Sequence, residues 1–400
     1  MAAHLLTINT GSSSLKAALY HPGPTEELDL AVRVERIALP GSRLRISDAR
    51  GTTLVDHQAD LPNHDAAVQT LFGWLRQQGL DEDLAAVGHR VVHGGRQYRE
   101  PRLITDELIK AVQDLVPIDP QHLPQALDAI QTARRAFPSI PQVACFDTAF
   151  HRRMPRVAQI YALPRRLQDL GILRYGFHGL SFEYIMHELG AVDPAAARGR
   201  VVIAHLGNGA SMVAVRDGIG VDTTMGFTPT GGLVMGTRSG DLDPGVLVHL
   251  LQSQGMSPDA LSKLVNQHAG LLGVSEISAD MHDLLTREMT DPRAAEAVDL
   301  FCYQARKFVG ALVAVLGGLD TLIFTAGIGE NAAPVRQRIC AGLEFLGIEL
   351  DARRNAANAP IISKDGHPVV VRVMKTDEDL MIARHTHRLI AHGGTKDVSV

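Results

Sequence analysis

The sequence predicts an α/β protein made of two domains of one design, on three observations. Its 400 residues exceed what a single hydrophobic core usually serves. An apolar strand, an Asn/Gly/Ser turn and a returning apolar strand occur twice, roughly 200 residues apart. One copy turns at Asn9-Thr10-Gly11-Ser12-Ser13-Ser14, the other at Gly207-Asn208-Gly209-Ala210-Ser211. Finally, an apolar strand at 321–325 enters Ala326-Gly327-Ile328-Gly329-Glu330-Asn331 and then a helix, an order that brings an anion to a helix N-terminus.

Composition narrows the class. Hydrophobic residues at 45% and charged residues at 21% describe an ordinary soluble globular protein. A net charge of -5 without a basic block gives no reason to expect nucleic acid. Cys145, Cys302 and Cys340 are far apart and lack metal-type spacing, so they read as free thiols of a reducing cytosol. No charged segment precedes the first apolar run, and 308–319 is too short and glycine-broken to span a bilayer. The expectation is a cytoplasmic protein with no membrane partner.

Taken in order, 5–8 and 15–20 read as paired strands with Lys16 near the turn. That turn serves equally as a solvated hairpin tip or a phosphate cradle, and it is not a Walker A loop. Strands follow at 30–39 and 44–47, then a core-facing helix at 64–78 with Ala67, Leu71, Trp74 and Leu75 at helical spacing. His89-Arg90-Val91-Val92-His93-Gly94-Gly95 ends a strand, which places Arg90 where α/β proteins hold ligands or in a surface ion pair. Helices at 106–116 and 123–136 flank Pro117–His122. The strand at 142–146 ends in Asp147, a metal or water ligand or else a helix cap. His151-Arg152-Arg153 reads as a solvated charge run. His178, among glycines at the start of a helix over 182–189, either points into a cleft or caps the helix.

The chain's glycine-dense centre extends from 204 to 245 and contains one fixed cation, Arg238, beside Thr237, Ser239 and Asp241. Glycine lets backbone N–H groups approach an anion closely because no Cβ intervenes. Helices are expected at 243–254, 261–267, 281–285, 293–316 and 334–345, and a strand at 369–374. A last helix follows Thr376-Asp377-Glu378-Asp379 and runs through His392. Two related domains, each offering a polar hairpin tip, would enclose a nucleotide's phosphates.

The segments INTGSSSLK, HRVVHGG, FDTAFH, RYGFHGLS, HLGNGASM, MGFTPTGGLVMGTRSGDLDPG, FTAGIGEN and KTDEDLMIAR resemble, in order and over nearly the whole chain, the acetate kinase family of short-chain carboxylate kinases. The resemblance implies the duplicated actin/Hsp70/hexokinase-like, ribonuclease H-like fold. Its domains are expected at 1–149 with 383–400, and at 150–382, the second carrying most of the nucleotide site. It implies reversible phosphoryl transfer from ATP to acetate, giving acetyl phosphate and ADP, with Mg²⁺ or Mn²⁺, in a homodimer. Arg90, His122, Asp147, His178, Asn208 and Arg238 form the implied catalytic set. Ser12, Lys16, His205, Leu206, Gly207, Asn208, Gly209, Asp280, Met281, His282, Gly327, Ile328, Gly329, Glu330 and Asn331 match the nucleotide segments. Asn9 and Glu378 match the metal site, and Arg90, Val92, Gln121, Phe177 and Pro229 the carboxylate pocket.

The chemistry suits these residue types. At an effective dielectric near 20, two like unit charges about 4 Å apart repel by roughly 4 kcal/mol, so a carboxylate meets ATP only among cations. The family role of Asp147 is acid/base. A carboxylic acid with a pKa of about 4–5 is already ionised at neutral pH and needs no base. Asp147 is therefore expected to hold Mg²⁺, directly or through water, and to orient the substrate. Departures from the family pattern are Gln121 for a Leu, Thr230-Gly231-Gly232 for Leu-Glu-Gly, and His282 for an Arg. Propionate or butyrate kinase, and an actin- or Hsp70-like ATPase, are the competing readings.

Overall fold

The structure, a computed structural model, describes residues 4–391 apart from residue 24. The chain divides into two compact units, Met1–Ala149 with Asp377–Val400, and Phe150–Thr376. The expected return to the first domain at residue 383 falls inside the helix Glu378–Ala391, which belongs whole to the first unit. His392, the expected end of that helix, lies outside the described residues.

The first unit holds strands β1 (His4–Thr10), β2 (Ser14–His21), β3 (Glu27–Glu35), β4 (Arg43–Asp48), β5 (Thr53–Gln58), β6 (Leu84–Val91), β7 (Arg102–Leu103) and β8 (Gln142–Phe146). Their order in the sheet is β5-β4-β3-β2-β1-β6-β8-β7. Strands β1 to β5 form an antiparallel meander, and β6 pairs in parallel with both β1 and β8. Every residue of β1 and β8 is buried, as expected of central strands covered on both faces. The period of two divides β1 between two cores. Leu6 and Ile8 pack with Ala67, Leu71, Ala129 and Ala133 of the helices His64–Gln77 and Leu123–Ala136. Leu5 packs on the other face with Ala383 of Glu378–Ala391. That helix rides so close to β6 that a Cβ on Gly88 would collide with Thr386 and Ile382.

The second unit holds β9 (Arg200–Leu206), β10 (Ala210–Arg216), β11 (Ile219–Thr223), β12 (Thr321–Thr325) and β13 (Val370–Val373), in the order β11-β10-β9-β12-β13. Phe182, Ile185 and Leu189 of the helix Gly179–Val192 pack on Val201, Ile203, Val213 and Val215. The 25-residue helix Pro292–Leu316 packs against β9, β10 and β11. Strand for strand, this sheet repeats the β3-β2-β1-β6-β8 portion of the first: an antiparallel hairpin and third strand on one side, two parallel strands on the other. The two units thus share one α/β topology, that of the duplicated actin/Hsp70/hexokinase design.

Several local expectations change. Strands β5, β7 and β11 carried too little apolar alternation to be foreseen. The glycine turn at 326–331 is a short helix, Ala326–Asn331, followed by Ala333–Cys340. The supposed charge run 151–153 lies in a 3-10 helix with His151 fully buried, its Nε2 donating to the Phe177 carbonyl at 2.9 Å. Burial pushes that imidazole down to about 4. All three cysteines are buried, and no described helix is long and apolar enough to cross a membrane.

Candidate active site

In each unit the polar side chains gather at the carboxyl ends of the parallel strands, where α/β sheets place their ligands. In the first, Asn9 lies near the end of β1, Arg90 near the end of β6, and Asp147 just past β8. Parallel pairing of these three neighbouring strands brings together residues far apart in sequence. Arg90 donates from Nε to both Asp147 oxygens (3.1 and 3.0 Å), from Nη2 to Oδ2 at 2.5 Å, and from Nη1 to Asn9 Oδ1 at 3.1 Å. Asn9 Nδ2 donates to Glu378 Oε2 at 3.1 Å, which ties in the start of the last helix. The Asp147 side chain is fully buried and that of Arg90 is 15% exposed.

The electrostatics follow from this burial. Desolvation raises the Asp147 carboxyl above its ordinary range, against the pull of Arg90. Burial also disfavours the Arg90 charge, but Asp147 and Glu378 outweigh it and hold the guanidinium above its ordinary value. Asp379 was not foreseen. Among the described residues its buried Oδ1 has no hydrogen-bond partner, and burial pushes the carboxyl up to about 7, with Lys16 opposing and Asp377 and Glu378 adding. His122, at the start of the helix Leu123–Ala136, has Nδ1 2.7 Å from Asp119 Oδ1. Val92 is buried and Gln121 half-buried; Ser12 and Lys16 are exposed, Lys16 opposite Asn9 in the β1–β2 pair.

In the second unit the Gly-Asn-Gly turn joins β9 to β10. A Cβ built on Gly209 would lie 3.3 Å from His178 Nε2 and 3.6 Å from Arg238 Nη1, so an imidazole and a guanidinium both reach the bare face of this glycine. His178 adopts a left-handed backbone (φ 57°), strained for a non-glycine residue. Its ring stacks on His205 with centroids 4.1 Å apart, and its Nδ1 is 2.9 Å from Ser211 Oγ. His205 Nδ1 in turn meets Ser181 Oγ at 2.8 Å, which contacts Thr376 Oγ1 at 2.8 Å. The sequence did not single out the hydroxyls that aim these rings, because a serine or threonine in a helix or strand gives no motif of its own. Arg238 Nη1 donates to the Pro229 carbonyl at 3.0 Å. Phe177 is buried.

Beside this turn is a cavity of about 590 Å³, within the size range of small-molecule sites. Gly207, Asn208, Asp280, Met281, His282, Gly327, Ile328 and Asn331 line it, together with Ala279, Leu285, Ala332 and Pro334. Gly236 makes room for the Asn208 side chain, which a Cβ there would strike. Asp280 caps the helix Met281–Arg287 by accepting from His282 N at 2.7 Å. Ser12 and Lys16 belong to the first unit, and the other expected nucleotide residues of the second unit lie outside this lining. Glu330 accepts from Ala326 N (2.9 Å) and Thr376 N (3.1 Å), bracing the turn, and Gly329 packs against Phe324 and Ala204. Leu206 is fully buried.

The chain is similar to known proteins over nearly its whole length. The Acetokinase family model matches residues 4–384. An acetate kinase of Rhodopseudomonas palustris is 45% identical over 400 residues, spanning 98% of this chain and 100% of that protein. The crystal structure of Porphyromonas gingivalis acetate kinase matches with a TM-score of 0.87 at 37% identity, covering 97% of this chain and 100% of that one. A propionate kinase from Francisella tularensis matches with a TM-score of 0.91 at 34% identity, covering 96% and 99%. With a full-length family match and with the family's motif residues at the strand ends of two like-folded units, the chain belongs to the acetokinase family.

Proposed function

We propose that this protein is an acetate kinase, transferring the terminal phosphoryl group of ATP to acetate, reversibly, with acetyl phosphate and ADP as products. The observation that carries the reading is the convergence of His178 Nε2 and Arg238 Nη1 on the bare face of Gly209, beside a nucleotide-sized cavity. Cationic and hydrogen-bonding groups aimed at one point suit a transferring phosphoryl group, whose charge spreads over three equatorial oxygens. In this reading Asn208 and the turn's backbone hold phosphate, and His178 and Arg238 stabilise the transition state. Arg90 holds the acetate carboxylate for in-line attack, and Val92 and Gln121 of the first unit and Phe177 and Pro229 of the second are the residues proposed to select its methyl group. Asp147 orients Arg90, and Ser12 and Lys16 contact ATP.

A divalent cation fits the first unit's acidic cluster. Asp147, Asp377, Glu378 and Asp379 outnumber the cations Arg90 and Lys16 within electrostatic reach, and the buried Asp379 oxygen has no partner among the described residues. Hard carboxylate oxygens suit Mg²⁺ or Mn²⁺. When bound there through Asn9, Asp147 and Glu378, the ion would supply positive charge to the phosphates.

A homodimer is also proposed. The helix Pro244–Gln252 buries none of its residues although it carries Val246, Leu247, Val248, Leu250 and Leu251, and an unburied apolar face of this kind suits a second copy. Buried thiols suit a cytoplasmic location. The domain boundaries proposed are those of the two compact units.

The test is hydroxylamine trapping of the acyl phosphate with ATP, Mg²⁺ and acids from formate to butyrate. Hydroxamate formed best with acetate supports the proposal. A preference for propionate would favour the second reading, suggested by the likeness to a propionate kinase. ATP hydrolysis without hydroxamate would refute both.

A further inference from the structure

At the opposite end of β1 from Asn9, about 16 Å away at 3.3 Å per residue, lies a cluster that phosphoryl transfer does not use. His4 opens β1 and His21 closes β2, flanking the Leu5–Tyr20 pair. Asp29 stands on β3 where the register shifts: Leu19 pairs with Leu30 and Tyr20 with Leu28, so Asp29 is the extra residue of a β-bulge. Bulges of this kind re-aim a side chain. Here Asp29 Oδ2 comes to 3.6 Å from His4 Nε2 and 3.8 Å from His21 Nε2. The two rings lie with centroids 4.4 Å apart, and one ligand atom from each of the three residues falls within 4.8 Å of the others.

We propose that His4, His21 and Asp29 form a binding site for a borderline divalent transition ion, Zn²⁺ being the best match. Two imidazoles and a carboxylate are a Zn²⁺ donor set, and bond lengths of about 2.0–2.1 Å place neighbouring tetrahedral ligands about 3.3 Å apart. The distances to Asp29 are slightly wider than that edge and too long for hydrogen bonds, so a small closure seats the ion. An ion pair would require protonated imidazoles. Burial, then His21, push the His4 ring below its ordinary value, against Asp29 and Asp83. Among the described residues His4 Nδ1 is buried without a hydrogen-bond partner, so none of them fixes the ring's tautomer. The His4 side chain is only 9% exposed, whereas His21 and Asp29 are 41% and 36% exposed, leaving the outer side open to water as a fourth ligand.

The experiment is equilibrium dialysis of the whole protein against Zn²⁺ in excess Mg²⁺, which saturates the acidic cluster, with metal counted per chain. The expected result is one tightly held Zn²⁺, weakened at least tenfold in His21→Ala and in Asp29→Asn and unchanged in His187→Ala, a control at an exposed histidine. Both test positions are partly exposed, and circular dichroism of the ion-free variants checks their fold. Zn²⁺ should raise the thermal midpoint of the parent but not of His21→Ala. No stoichiometric Zn²⁺ in the parent, or equal binding by folded His21→Ala and Asp29→Asn, overturns the proposal.

Discussion

Replacing Asp147 by Asn separates the two roles open to this carboxylate. Asp147 receives three contacts from Arg90 between 2.5 and 3.1 Å, with the carboxylate fully buried and the guanidinium nearly so. An amide keeps one acceptor oxygen but turns an NH₂ toward Nη2 and removes the balancing charge. Breaking a buried pair from one side costs roughly 3–5 kcal/mol, and the retained acceptor together with Glu378 nearby argues for the lower end, about 3 kcal/mol. For a unit of this size that is a midpoint lowered by about 6–12 °C, readable by calorimetry. Arg90 would then lose its aim, and the acetate KM should rise about tenfold or more, in line with the 1.5–3 kcal/mol of a charge-assisted hydrogen bond. If Asp147 also holds the metal, the Mg²⁺ concentration for half-maximal rate rises with it. The assay is hydroxamate formation at varied acetate and Mg²⁺. A reduced kcat with acetate KM and Mg²⁺ dependence both unchanged would refute this reasoning and return Asp147 to an acid/base role.

Other outcomes follow from the same geometry. Arg238→Lys and His178→Gln should each lower kcat by about 10²–10³ with smaller changes in KM, as expected for groups acting on the transition state; equal losses in binding would place them in ground-state recognition. Gly209→Ala puts a methyl 3.3 Å from His178 Nε2 and should cost roughly tenfold to a hundredfold in kcat through misplacement of that ring, while leaving the thermal midpoint nearly unchanged. Gln121→Leu should move the propionate-to-acetate kcat/KM ratio by about tenfold, the scale of one methylene, and no change would remove Gln121 from the substrate wall. Acid stability reports the buried histidines: His89 and His151 are both pushed down to about 4 by burial. The unfolded chain takes up protons near 6.5 and the folded one only near 4, so stability is complete above pH 6.5 and falls as the pH drops toward 4. At pH 5 the loss is about 2 kcal/mol per histidine, measured by urea unfolding at pH 7 and pH 5. A His89→Gln, His151→Gln variant with the same pH slope as the parent would refute the assignment.

Much of the second unit's cavity lining was legible because it is local. The turn at 207–209, the short segment at 280–282 and the turn at 327–331 are contiguous stretches, and eight of their residues line the cavity. What escaped was dictated by strand pairing. Nothing in the run His151-Arg152-Arg153 says that His151 is buried against the Phe177 carbonyl, because that depends on a segment 26 residues away. Ser181 and Thr376, 195 positions apart, meet only once β9, β12 and β13 are side by side. Glu330 lies in a segment that the family resemblance matches to the nucleotide, and its acceptance from the amides of Ala326 and of the distant Thr376 is a contact no local pattern announces.

The amino-acid order alone determined the repeated hairpin, the α/β class and the residue types needed for phosphoryl chemistry, since periodicity and turn preference act over a few residues. Tertiary structure decided which charges meet. The Arg90–Asp147 pair spans 57 positions, and the Asn9–Glu378 bond spans 369. Such contacts depend on parallel register and on a helix returning from the far end of the chain, and no local rule encodes either.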